Sequence, residues 1–105
     1  MNLKGIQVAV LGGDDRELIL IPELVKMGAR VMVVGFPQRP ELAGAQLVDT
    51  LEEALIGAQA VVMPMPGTDD KGNIRAVYSE KKLELTEKLV RRLPPQTTVI
   101  IGVAR

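Results

Sequence analysis

Four apolar, β-rich runs end abruptly in glycine or proline, and this punctuation constrains the fold more than any other feature of the chain. Ile6-Gln7-Val8-Ala9-Val10-Leu11 stops at Gly12-Gly13, and Arg30-Val31-Met32-Val33-Val34 stops at Gly35. Gln59-Ala60-Val61-Val62-Met63 stops at Pro64, and Thr97-Thr98-Val99-Ile100-Ile101 stops at Gly102. Short, nearly continuous apolar runs of this kind belong to strands buried on both faces, as in a parallel sheet covered by helices. Ala45-Gln46-Leu47-Val48 reads as a further, shorter strand.

The segments between the runs carry helical signals. Asp14 or Asp15 can cap a first helix, whose Leu18, Ile21, Leu24, Val25 and Met27 share one face and which Gly28 stops. Pro22 inside it is expected to kink it. Asp49-Thr50-Leu51-Glu52-Glu53 offers a cap and a capping-box glutamate for a short helix ending at Gly57. Ser79 and Glu80 are expected to open a third helix running to Arg91 or Arg92, with Leu83, Leu85, Leu89, Val90 and Leu93 mostly on one face, closed by Pro94-Pro95. The Pro-rich crossing Phe36-Pro37-Gln38-Arg39-Pro40 lacks a full helix, and Pro64 to Tyr78 reads as a long polar loop. Strands alternating with helices imply right-handed crossovers. The expected fold is α/β, a doubly wound, mostly parallel five-stranded sheet in three layers, flavodoxin-like or Rossmann-like, forming one domain over 1–105.

Composition removes several function classes. The chain of 105 residues has 13 basic and 13 acidic side chains, so it offers no field for nucleic acid or an anionic membrane. It contains no Cys and no His, which excludes thiolate chemistry and the commonest general base and metal ligand. Phe36 and Tyr78 are its only aromatics, so the core must be aliphatic. The apolar run near the N-terminus is too short for a signal peptide, and a cytoplasmic protein is the expectation.

Ligands of open α/β sheets bind beyond the carboxyl ends of the strands. That rim carries Gly12-Gly13-Asp14-Asp15-Arg16-Glu17, which invites comparison with the dinucleotide fingerprint G-x-G-x-x-G. Glu17 stands where the third glycine belongs, and carboxylates occupy the helix start where a pyrophosphate would dock. Three readings stay open: a dinucleotide turn, a tight turn with a helix cap, or a site where backbone amides and Arg16 hold a small carboxylate. The paired Asp14 and Asp15 also admit a receiver-like interaction domain, with Asp49 and Thr68 as further parts, but no Lys follows Ile101. The loop after Met63, with Pro64, Gly67, Thr68 and Asp69, starts from the same rim and reads either as a substrate-facing or interdomain loop or as a solvated excursion.

The order of landmarks resembles one family. Ile6 to Arg16, with its Gly-Gly-Asp-x-Arg, opens like the N-terminal domain of the dipicolinate synthase A subunit. Val34-Gly35-Phe36, Met63-Pro64-Met65-Pro66-Gly67-Thr68, Gly72-x-Ile74 and Gly102 follow in matching order across the chain. The resemblance implies the substrate-side domain of an oxidoreductase that makes pyridine-2,6-dicarboxylate from a dihydrodipicolinate-type precursor during sporulation, in the mother cell. It implies a C-terminal Rossmann domain in the same chain that binds NADP, the flavin-like B subunit of dipicolinate synthase as partner, and a small dicarboxylate substrate in the cleft between domains. No cofactor is expected on this chain alone, and the isolated domain is expected to be inactive. The sequence stops four residues past Ile101, which fits a piece of a two-domain chain. On this reading Gly12, Gly13 and Asp14 shape the turn under the substrate, and Arg16 pairs its carboxylate. Pro64, Gly67 and Thr68 form the opposite wall, and Gly102 lies at the interdomain hinge. No residue carries a catalytic assignment; proton transfer falls to Asp14, Asp15, Asp69 or the other domain. A free-standing nucleotide-binding module and a receiver-like interaction domain are the alternatives.

Overall fold

In the computed structural model, which describes residues 2–64, 72–74, 76–79, 82–94 and 96–101, the apolar runs form one parallel sheet. Its strands are β1 (Gln7–Leu11), β2 (Arg30–Val34), β3 (Gln46–Val48), β4 (Ala60–Met63) and β7 (Thr98–Ile101), in the order β3-β2-β1-β4-β7. Every pairing is parallel. Counted along the chain this is 3-2-1-4-5, the Rossmann-type order. The three-residue edge strand β3 decides the matter, because without it the remaining strands read 2-1-3-4, as in flavodoxin-like sheets.

Side chains alternate across the sheet, so β1, β2 and β4 each feed two cores. Val8, Val10, Val31, Val33 and Val62 face α1 (Asp15–Lys26), packing with Leu18, Ile21 and Leu42. Ala9, Leu11, Val34, Val61 and Met63 face α2 (Leu51–Leu55), packing with Leu51, Ala54 and Leu55. Ile21 and Val33 are fully buried; each such aliphatic side chain stabilises the fold by about 1.5–3 kcal/mol. The crossover from β2 to β3 is a single 3-10 turn, Pro40–Leu42, as the proline content foretells, and its Leu42 plugs the α1 face.

α1 runs from Asp15 to Lys26 with Pro22 inside it, as expected. One local expectation is revised. The third helix does not begin at Ser79. Leu83–Glu84 is a strand, β6, paired antiparallel with β5 (Asn73–Ile74), and the helix α3 is confined to Glu87–Arg91 behind the cap Thr86. The physical reason is burial: Leu83 pairs with Ile74, and both insert under the α2-side core, a gain that outweighs helix propensity. The polar loop after Met63 therefore contains part of a hairpin that folds back over the sheet.

Candidate functional site

The strand order reverses between β1 and β4, which places the crevice of this sheet at the carboxyl ends of those strands. The β1–α1 turn forms one wall. Gly13 has φ +116°, and a Cβ there would stand 2.1 Å from Glu17 Oε1. The space belongs to Glu17, which bends back beneath the turn. Its Oε1 accepts from the Asp14 amide at 2.7 Å, and Asp14 Oδ1 accepts from the Arg16 amide at 2.9 Å. The two carboxylates form a capping box on α1, at the positive end of the helix dipole. Glu17 is 1% exposed, and its Oε2 is buried with no hydrogen-bond partner among the described residues.

Arg16 is turned onto Asp14. Its Nε and Nη2 donate to Asp14 Oδ1 and Oδ2, both at 3.2 Å. The hydrogen bond and charge of Asp14 raise the guanidinium pKa above its ordinary value. A substrate carboxylate would thus share Arg16 with Asp14, not find it waiting. Pro64, expected as a wall residue, is fully buried, so it shapes the rim from below. Gly67, Thr68, Gly102 and Asp69 lie outside the described residues.

The segment ahead of the hairpin's second strand closes over this turn. Gly13 bridges Ala76, and the Val77 amide donates to the Gly13 carbonyl at 3.1 Å. Gly35, at φ +95°, admits two close neighbours: a Cβ there would lie 2.8 Å from Leu83 Cδ1 and 3.1 Å from Gly12 Cα. The loops after β1 and β2 and the hairpin therefore converge with no room for a side chain between them.

A second group of residues escapes sequence reasoning. Tyr78 donates its hydroxyl to Asp15 Oδ1. Phe36 packs on it with ring centroids 5.6 Å apart, and the Arg39 guanidinium lies 5.0 Å above the Tyr78 ring. Arg39 in turn pairs Glu41 at 3.3 Å. The hydrogen bond to Asp15, then burial, raise the Tyr78 phenol pKa. Beside the rings opens a cleft of about 340 Å3, walled by Phe36, Pro37, Val48, Asp49, Tyr78 and Ser79. The one signal in the sequence was that its only two aromatics both border the rim. Among the described residues no cluster of carboxylates forms a metal site, and no helix is long and apolar enough to cross a membrane.

Fold and rim together define a Rossmann-type α/β domain whose β1–α1 turn, at the strand reversal, is covered by the segment around Ala76 and Val77. Residues 7–105 match the family described as the N-terminal domain of the dipicolinate synthase A subunit, and the chain belongs to that family. It is 27% identical over 103 residues to the dipicolinate synthase A subunit of Bacillus subtilis (strain 168), covering 97% of this chain and 35% of that protein. The crystal structure of the Bacillus subtilis dipicolinate synthase A chain superposes with a TM-score of 0.86 at 27% identity, over 99% of this chain and 35% of that one. The A-subunit structure from Bacillus halodurans gives 0.84 at 26% identity, over 100% and 36%. The chain thus spans about a third of the length of the relatives it matches.

Proposed function

We propose that this domain is the substrate-side half of a dipicolinate synthase A subunit, an NADP-dependent oxidoreductase that converts a dihydrodipicolinate-type precursor to pyridine-2,6-dicarboxylate together with the B subunit. The observation that carries the reading is the self-occupied turn at the strand reversal. A dinucleotide pyrophosphate needs open amides and a glycine-lined approach there. Here Asp14 and Glu17 already hold those amides, and the Glu17 side chain fills the space under Gly13. NADP does not fit this turn, so the reading assigns its phosphates to a second domain beyond residue 105. The exposed Val99 and Ile100 on β7, 46% and 48% accessible, support it as apolar surface suited to contact with further polypeptide.

A chimera tests the proposal: residues 1–105 replace the matching third of the Bacillus subtilis A subunit, and the product is assayed with the B subunit and NADP by terbium luminescence of dipicolinate. The reading expects product. A chimera that melts cooperatively yet makes none, beside an active parent, refutes it.

A further inference from the structure

The chain places its only two aromatic side chains on one cleft. Phe36 follows β2, and Tyr78 lies between β5 and β6; both are half buried, and both wall the opening of about 340 Å3. That volume is within the range of small-ligand sites, about 300–1,000 Å3. The cleft sits at the carboxyl ends of β2 and β3, beside the crevice, where α/β sheets bind ligands.

The charges around it select the ligand. Asp49 is part of the wall, Asp15 receives the Tyr78 hydroxyl, and Glu41 pairs Arg39 above the Tyr78 ring. Among the described residues, three carboxylates thus surround the pair against one guanidinium, whose Nη2 pairs Glu41 at 3.3 Å while its Nε is buried without a hydrogen-bond partner. Asp49 makes no hydrogen bond or ion pair among the described residues. A dianion would meet net repulsion here. A cation gains twice, from the carboxylate field and from the negative faces of the rings.

We propose that this cleft binds a planar nitrogen heterocycle in its cationic state, a pyridinium, with its face against Phe36 and Tyr78 and its charge toward Asp49. The inference rests on the oxidoreductase reading only for the source of the ring, which an oxidised nicotinamide would supply. It separates the subsites: the ring of an oxidised cofactor lies here, and the anionic substrate lies elsewhere along the rim.

The test is proton NMR of the 105-residue chain. With no Trp and no His, the aromatic region contains only Phe36 and Tyr78, so occupancy is read from two side chains. The probes are 1-methylnicotinamide, its neutral parent nicotinamide, N-methylpyridinium and pyridine-2,6-dicarboxylate. The expected result is a saturable shift of both rings by 1-methylnicotinamide in the range of about 1–10 mM, weaker binding of nicotinamide, and none of the dicarboxylate. N-methylpyridinium binding more weakly than 1-methylnicotinamide assigns the site to a nicotinamide source; equal binding assigns it to the pyridinium ring alone. Asp49→Asn, an exposed change that leaves the fold intact, should weaken the cation about fivefold. Equal binding of cation and neutral parent, preference for the dicarboxylate, an unmoved Asp49→Asn affinity, or no shift with any probe overturns the proposal. A failed chimera with positive NMR removes the reaction and keeps the cleft, and the reverse outcome does the opposite.

Discussion

A single carboxylate, Glu17, decides what the β1–α1 turn can accept. It is buried because Gly13 leaves room for it and because the Asp14 amide binds it. Gly13→Ala should force that side chain out, break the capping box and strain the backbone at positive φ, costing about 1–3 kcal/mol; urea unfolding measures it, and an unchanged midpoint would contradict the packing described. Tyr78 offers a second residue-level test. Its phenol pKa is raised, so the bond to Asp15 contributes stability that is complete below the ordinary value of about 10 and is lost as pH rises through the folded value. The lone tyrosine makes this directly visible: phenolate absorbance should titrate above the free value, and Asp15→Asn should bring the midpoint back down. The sequence showed that a glycine was missing at position 17. It did not show where the glutamate would go, because that depends on the turn's φ angles. The Phe36–Tyr78 contact was equally hidden, being formed only when β2 and the hairpin meet.

At the scale of elements, strands were legible and caps nearly so. Thr50 caps α2 by accepting from the Glu53 amide at 3.1 Å, and Thr50→Ala should cost about 1 kcal/mol. α1 continues past Pro22, which removes one amide bond to the preceding turn. Pro22→Ala should therefore stabilise the chain by about 1–3 kcal/mol, read as a higher denaturation midpoint; a lower one would mean the proline is needed for packing. The third helix was misread for a definable reason. Leu83, Leu85, Leu89 and Leu93 fit a helical stripe, yet Leu83 and Leu85 also alternate as in a strand. Pairing of Leu83 with Ile74 favours the strand, and Thr86 then caps what remains.

For the whole molecule, doubly wound architecture was readable from the alternation of buried runs and helices, while the strand order hung on three residues of β3. The division of labour proposed is that this domain shapes the substrate side of a crevice; its own carboxylates occupy the turn where a dinucleotide would dock. Calorimetric titration of the 105-residue chain with NADP tests that claim most directly. No saturable heat is expected at concentrations below about 0.1 mM; a dissociation constant near about 1 μM would contradict it.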